Sequence, residues 1–412
     1  MSDVHPNVRN PDEIATVFVG GRRFDDWETV YVQHRWADPY PVFRFTATER
    51  DPIPELWAKL QFKPGDRVGI YLGGILAITG VILDRQVAYD ANSHGVMLQG
   101  VGWTWYAARG SIIHKTGSFD NKTFEQVARE VIAPFGVGVK TIGNLNATPF
   151  ERLQVETGEN LWAFLERLAR PRGIVMGSDH LGNILLIDDH NFPITDTLIE
   201  GFNILRCQAT ISIKDKRSDY IVRGQTAGGD KKHGPDASEQ EGGVKGSLDR
   251  YSPLLTPAEQ PVWGLGEIID RAKNEAVWNE ATEVQATITV QGWMRARRAF
   301  IGGGVTIPAG GVGGISAGLW RAGDKVTVNS PMAMLNNFEM KIQNATFTQD
   351  SNSGTLTTLD LVAPWLLKDQ GDPRVGPQAP GQGKAGGPAT TPEAALPPEN
   401  FAETMAAHAT EF

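Results

Sequence analysis

A hexapeptide of unusual spacing occurs twice in this chain. Lys63-Pro64-Gly65-Asp66-Arg67-Val68 returns as Arg321-Ala322-Gly323-Asp324-Lys325-Val326: basic, any, Gly, Asp, basic, Val, with 258 residues between Gly65 and Gly323. Carried forward, that offset sets Tyr89 against Phe347. A slip of one or two residues sets Asn92-Ser93-His94-Gly95 against Asn352-Ser353-Gly354, and each of these turns precedes a strand, Val96 to Val101 and Thr355 to Val362. The order of elements points to an internal duplication. At 412 residues the chain has room for two copies and more, since domains average roughly 150 residues. Its 41% hydrophobic and 21% charged residues suit a globular protein, and its one cysteine, Cys207, excludes an internal disulfide framework and a cysteine-rich zinc site. The fold must hold by packing.

Short β-branched and aromatic runs fill the first hundred residues: Thr16 to Val19, Thr29 to Val32, Val42 to Thr46, Val68 to Leu72, Ile75 to Leu83 and Gly95 to Val101. Gly73-Gly74 suits a tight hairpin. The period then becomes helical. Phe124, Val127, Ala128, Val131 and Ile132 share one face, with Asp120 as a candidate cap, and Leu161, Phe164, Leu165 and Leu168 share another. A hairpin follows through Ser178 to Asn183. Strand character resumes at Ala209 to Ile213, Asp219 to Gly224 and, after a helix over Glu267 to Ala281, at Glu283 to Val290. The expected fold is α+β, mainly β: two similar small β-barrels with an α+β lobe between them and a helical insertion in the second barrel. The expected boundaries are 1–115 for the first tube-like barrel and 116–205 for the lobe. The second tube-like barrel takes 206–226 and 284–367, the inserted loop-and-helix lobe 227–283, and a flexible tail 368–412. The Gly228 to Ser247 stretch is expected to be a mobile loop.

Catalytic patterns do not complete themselves. Gly314-Ile315-Ser316-Ala317-Gly318 spells G-x-S-x-G, but its flanks are glycine-rich and the only later histidine is His408, so Ser316 lacks a general base. No phosphate-binding loop or dinucleotide fingerprint is present, and no cofactor is expected. Asp179, His180, Asp188, Asp189 and His190 flank one hairpin, where polar turn residues explain them as well as a metal would. Glu156, Glu159 and Glu166 lie on or beside a helix whose other face is apolar, which suits a solvated face better than a glycosidic acid pair. Trp103, Trp105 and Tyr106 suit packing between barrel and lobe better than a sugar platform. Arg295, Arg297 and Arg298 form the one tight basic cluster and are the candidate partner contact. The candidate structural positions are those of the repeat: Gly65, Asp66, Val68, Gly323, Asp324 and Val326.

The net charge of −9, from 39 basic and 48 acidic residues, argues against a protein that grips DNA through its phosphates, though not against a passage for DNA. The run Gly69 to Leu83 is shorter than the roughly 20 apolar residues of a membrane span. No stable membrane insertion is expected, and the first residues lack the marks of a secretory signal, so synthesis and assembly in the host cytoplasm are expected.

The run from Glu156 to Gly173, followed by Asp179 to Leu186, resembles the baseplate hub proteins of Mu-like contractile-tailed phages, relatives of the T-even hub and the late-control tail proteins. Arg271-Ala272-Lys273-Asn274-Glu275-Ala276, Val290-Gln291-Gly292-Trp293 and Leu319-Trp320 before Gly323-Asp324 extend the resemblance over about residues 10 to 367. It implies a structural, non-enzymatic component of the virion tail baseplate: a homotrimer whose paired barrels make a pseudo-sixfold ring and leave a passage for DNA. Its implied partners are a second and third copy of itself, a trimeric tail spike, a tail tube or tube-initiating protein and other baseplate proteins. The competing readings are a tail-associated cell-wall hydrolase and a carbohydrate-binding tail-tip protein. With so few clustered basic residues, the bore of such a ring should be neutral or acidic.

Overall fold

The computed structural model describes residues 11–48, 62–89, 94–188, 192, 194–224, 240–258, 265–295, 300–301, 305–306 and 318–363. All belong to the compact unit Met1–Gly376; the second unit, Pro377–Phe412, lies outside the described residues, as do the tail expected at 368–412, Ser316, Arg297, Arg298, Asp189 and His190.

A 13-stranded sheet carries both copies of the repeat. Its path runs Arg206–Ile211, Val284–Gln291, Gly354–Val362, Leu335–Asp350, Thr29–Arg35, Val42–Thr48, His94–Gly102, Ile75–Tyr89, Arg67–Leu72, Ala15–Val19, Arg22–Phe24. Off this path, Lys325–Ser330 pairs with Leu335–Asp350 and, in parallel, with Ile194–Ile199. Strict alternation explains the strands. Val284–Gln291 buries every second residue, and Val30, Val32, Phe43, Phe45, Ile288, Phe347 and Leu359 meet in one core. No closed barrel is detected among the described residues; eleven strands follow one path and two more branch from it.

The α+β lobe forms where helical periodicity was read. Phe124–Ile132 and Leu161–Ala169 pack on the three-stranded sheet of Val139–Ile142, Ile184–Ile187 and Val175–Ser178, around Phe119, Phe124, Phe164 and Leu165. The first helix is capped by Thr123 in a reciprocal capping box with Gln126, not by Asp120, whose carboxylate instead accepts the Leu153 amide at 3.1 Å. Trp103 packs against this lobe's core, and residues Trp105–Arg109 form a short helix that the strand-dominated sequence around it concealed.

Three differences from expectation concern the second half. Ile194–Ile199 joins the large sheet rather than the lobe. Asp219–Gly224 leaves the large sheet and makes a small one with Gln240–Lys245 and Leu254–Pro257. Part of the stretch expected to be a mobile loop is therefore a strand; Gly242 and Gly243 lie where Ile269 and Tyr220 approach too closely for a side chain. Helix Leu265–Ala281 covers this sheet with Ile268, Ala272 and Ala276, and its buried Glu280 accepts the Tyr220 hydroxyl at 2.9 Å and the Ser247 amide at 3.1 Å.

Candidate assembly interface

The two hexapeptides begin strands through the same backbone device. Gly65 and Gly323 have φ of +95° and +96°, a left-handed conformation that favours glycine. Each donates its amide across the hairpin, Gly65 to Ile82 at 2.8 Å and Gly323 to Ile342 at 2.8 Å, and the return bonds run from Ile82 to Asp66 at 3.1 Å and from Ile342 to Asp324 at 2.9 Å. Val68 and Val326 follow as core residues, 2% and 0% exposed. Between the copies the offset grows from 258 to 260 residues, because the second hairpin is two residues longer than Gly73-Gly74. Phe347 therefore matches Val87, two residues from the Tyr89 expected.

Strand pairing repeats in register from there. Each long strand carries a bulge at the matched place, Ile82/Asp84 and Ile342/Asn344. Val42↔Val101 corresponds to Gln285↔Val362, and Gln33↔Val42 to Thr210↔Gln285, so Thr29–Arg35 is matched by Arg206–Ile211 at an offset of 177.

Beyond its bulge, Leu335–Asp350 pairs with Thr29–Arg35, joining the second copy to the first: Asn344↔Arg35, Ala345↔His34, Thr346↔Gln33, Phe347↔Val32, Thr348↔Tyr31 and Gln349↔Val30. Gln33 Nε2 donates to Thr346 Oγ1 at 3.1 Å, and Phe347 and Val32 are buried. Among the described residues the matched edges have no such neighbour. Residues 84–88 and 206–211 pair on one side only among the described residues, and Val87 and Ile211 are 47% and 45% exposed. Sequence patterning missed Gln33, Thr346, Gln86 and Thr210; only the register brings them out.

The sheet face turned away from the core is mainly polar along these strands, with Tyr31, Met97 and Leu356 among its apolar members. Thr29, Gln33, Thr46, Gln99, Thr346, Thr358, Thr287 and Gln208 lie on it, with Arg35, Arg44 and Arg206 balanced by Asp84, Asp350 and Asp360.

Behind the joint lies a nest of charge. Arg295 donates to Asp324 at 2.6 Å with both side chains largely buried, so this member of the basic cluster is turned inward. The other two members of the expected partner contact, Arg297 and Arg298, lie outside the described residues. Burial pushes the Asp324 carboxyl up, against the pull of Arg295, Arg321 and Lys341. Arg321 donates to His180 Nδ1 at 2.7 Å, and Lys341 lies 4.6 Å and 4.4 Å from the Trp36 and Phe192 ring centres. Burial, and then the Arg321 charge, hold His34 down to about 4. Burial with the same Arg321 charge lowers His180.

The other candidate residues are used structurally. Glu159 pairs with Arg167 at 2.9 Å and Glu166 with Arg170 at 2.8 Å. Asp179 binds Lys140 and Asn183 in the hairpin turn, and among the described residues no group of His, Cys, Asp and Glu is arranged to hold a metal. No helix among them is long and apolar enough to cross a membrane.

Comparison with known proteins agrees with this architecture. Residues 14–102 match the family model for the Mu phage baseplate assembly protein GpP-like N-terminal domain, and residues 108–188 that for the second domain of baseplate hub protein gp44-like proteins. The chain is 25% identical over 288 residues to baseplate hub protein gp44 of Escherichia phage Mu, spanning 68% of this chain and 74% of that protein. The crystal structure of the 43 kDa tail protein of prophage MuSo2 from Shewanella oneidensis superposes with a TM-score of 0.68 at 25% identity, over 86% of this chain and 99% of that one. The tail protein from Neisseria meningitidis MC58 shares the fold, with a TM-score of 0.66 at 18% identity over 86% and 98% of the two chains. The resemblance read from the sequence, to baseplate hub proteins of Mu-like phages, is shown by these matches.

Proposed function

We propose that this relative of the Mu-like baseplate hub proteins is the structural hub of a contractile phage-tail baseplate. Three copies close into a pseudo-sixfold ring that joins a trimeric spike to a hexameric tail tube and leaves a passage for DNA. Each repeat, 14–115 and 206–226 with 284–367, acts as one barrel-like unit of the ring, although 219–224 belongs to the inserted lobe. The other baseplate proteins bind outside the ring, and the particle is assembled in the host cytoplasm.

The observation that carries this reading is the internal joint. Transferring its register to the two edges that pair on one side only among the described residues sets residues 84–89 of one copy against 207–212 of the next: Gln86 opposite Thr210, Val87 opposite Ala209 and Tyr89 opposite Cys207. The Gln33–Thr346 hydrogen bond then recurs with donor and acceptor strands exchanged. A strand edge left open invites pairing, and a contact whose halves are different patches on one chain builds a ring when its rotation closes. The polar sheet face, with three arginines against three aspartates, supplies a neutral bore along which DNA would slide without sticking. The proteins this chain is similar to are named as baseplate hub and tail proteins, which favours the hub over a cell-wall hydrolase.

Light scattering on the purified chain, alone and with its spike, gives the first test. Oxidising Tyr89→Cys gives the second, because facing Cβ atoms in antiparallel strands lie about 5 Å apart and Cys207 is otherwise the only thiol. The expected result is a trimer linked through Cys207, abolished by Cys207→Ser. A chain that stays monomeric in both samples and forms no cross-link sinks the reading.

A further inference from the structure

We propose that the apolar end of the second repeat, formed by the hairpin 331–334 and the turn 199–205, is a docking surface for a threefold-symmetric protein partner. This rests on the ring reading. Met332 and Met334 stand at the hairpin tip, 90% and 72% exposed, and Ile199, Phe202 and Leu205 on the turn are 37%, 55% and 59% exposed. Glu200 binds the two segments together, its carboxylate accepting from Ser330 Oγ at 2.6 Å and from the Met332 amide at 3.2 Å. Glu200 is itself exposed, so the surface it organises is an apolar one, Met332, Met334, Ile199, Phe202 and Leu205, around a single hydrogen-bonded carboxylate. Methionine is unbranched and polarisable, a side chain suited to moulding against a partner.

The first repeat lacks this surface. Its hairpin tip is Gly73-Gly74, with no side chains, and the chain's own residues 12–14 cover it: Gly73 donates to Ile14 O at 3.0 Å, and a Cβ at Gly73 would lie 2.9 Å from Asp12 O. The segment entering its matched strand runs Arg22 to Glu28, with an Arg23–Asp25 ion pair at 3.0 Å, while Phe24 and Trp27 pack inward on Phe62. Everything the copies share is presented six times by three chains. The apolar end is presented three times. A sixfold partner could engage only half of its equivalent sites there, whereas a threefold partner engages every one. Contiguous exposed apolar groups of this kind mark binding surfaces. The chemistry recognised is apolar, so the partner must offer three hydrophobic sockets.

The experiment compares the full-length chain with Met332→Lys/Met334→Lys, using the purified spike and purified tube protein of the same particle as probes. Both methionines are exposed, so the variant should melt within a few degrees of the parent. Size-exclusion chromatography with light scattering should show an unchanged trimer and unchanged tube binding, with at least tenfold weaker spike binding, restored by Met332→Leu/Met334→Leu. Unchanged spike binding overturns the proposal, as does selective loss of tube binding. Loss of the trimer in the variant assigns the patch to contacts between copies and also overturns it. A parent chain that is monomeric with and without the spike fails the ring reading instead, so the two failures are distinguishable.

Discussion

The two repeats share a backbone and differ in what surrounds it. At Gly65 a Cβ would meet nothing within 4 Å, and Asp66 merely accepts the Lys63 amide at 2.8 Å in a half-exposed turn. At Gly323 the same Cβ would lie 2.2 Å from the Trp36 ring, and Asp324 is paired with Arg295 inside the molecule. The flanking strand also differs: Ala15–Val19 runs antiparallel to Arg67–Leu72, and Ile194–Ile199 parallel to Lys325–Ser330. A duplicated turn keeps its hydrogen bonds because they are local. Its electrostatics and packing come from whatever the rest of the chain places beside it.

The sharpest way to break the comparison is at the matched pair Phe347 and Val87. Phe347→Ala should lower the stability of the isolated chain by about 3–5 kcal/mol through the cavity left in the core. Val87→Ala should cost under about 0.5 kcal/mol in the isolated chain and loosen the assembled ring. Equal losses in urea denaturation would remove the distinction between a filled joint and an empty one.

Next come the glycines. Gly323→Ala combines left-handed strain with an overpacked ring and should cost roughly 3 kcal/mol, whereas Gly65→Ala meets only the strain, about 1–2 kcal/mol. Matching shifts in melting temperature would show that Trp36 yields without cost.

Among the described residues, the joint around His34 should respond most to mild acid. His34 titrates near 4 in the folded chain against about 6.5 unfolded. Between those values the unfolded chain binds the extra proton, so stability is full above about pH 6.5 and falls as pH drops towards 4, by up to about 3 kcal/mol. His34→Gln should flatten that slope in denaturation curves taken at pH 4.5 and 7; an unchanged slope would assign it to His180, whose lowered pKa acts in the same direction.

The smallest effect belongs to the cross-strand hydrogen bond. Thr346→Val should cost about 1 kcal/mol in the isolated chain. Gln86→Ala should leave that chain unaffected and weaken association alone, which sedimentation at graded concentrations would detect.

Much of this was legible in the residues. The amphipathic helices of the lobe, the Gly-Asp strand starts and the order of the repeat all follow from short-range patterns. What escaped needed distant partners. Nothing near Ile194 signals that it pairs with Lys325, and nothing near Arg295 signals Asp324. The Gly228 to Ser247 segment looked too polar to be ordered, yet Val244 is buried because Tyr220 and helix Leu265–Ala281 supply the apolar partner it lacks locally. Arithmetic on the repeat missed Val87 by two residues because insertion at a hairpin is invisible until the hairpin is seen.

The bulges at Ile82/Asp84 and Ile342/Asn344 bend each long strand where it changes neighbours. Copies that carry both halves of a joint polymerise, and only the angle turned at each step separates a closed circle from an endless fibre. A turn of about 60° per repeat closes after six, and a few degrees of error accumulate into a helical pitch. In the proposed ring those two irregularities would act as the protractor of the assembly, so that straightening a single strand would convert a finite particle into a filament without weakening any contact in it.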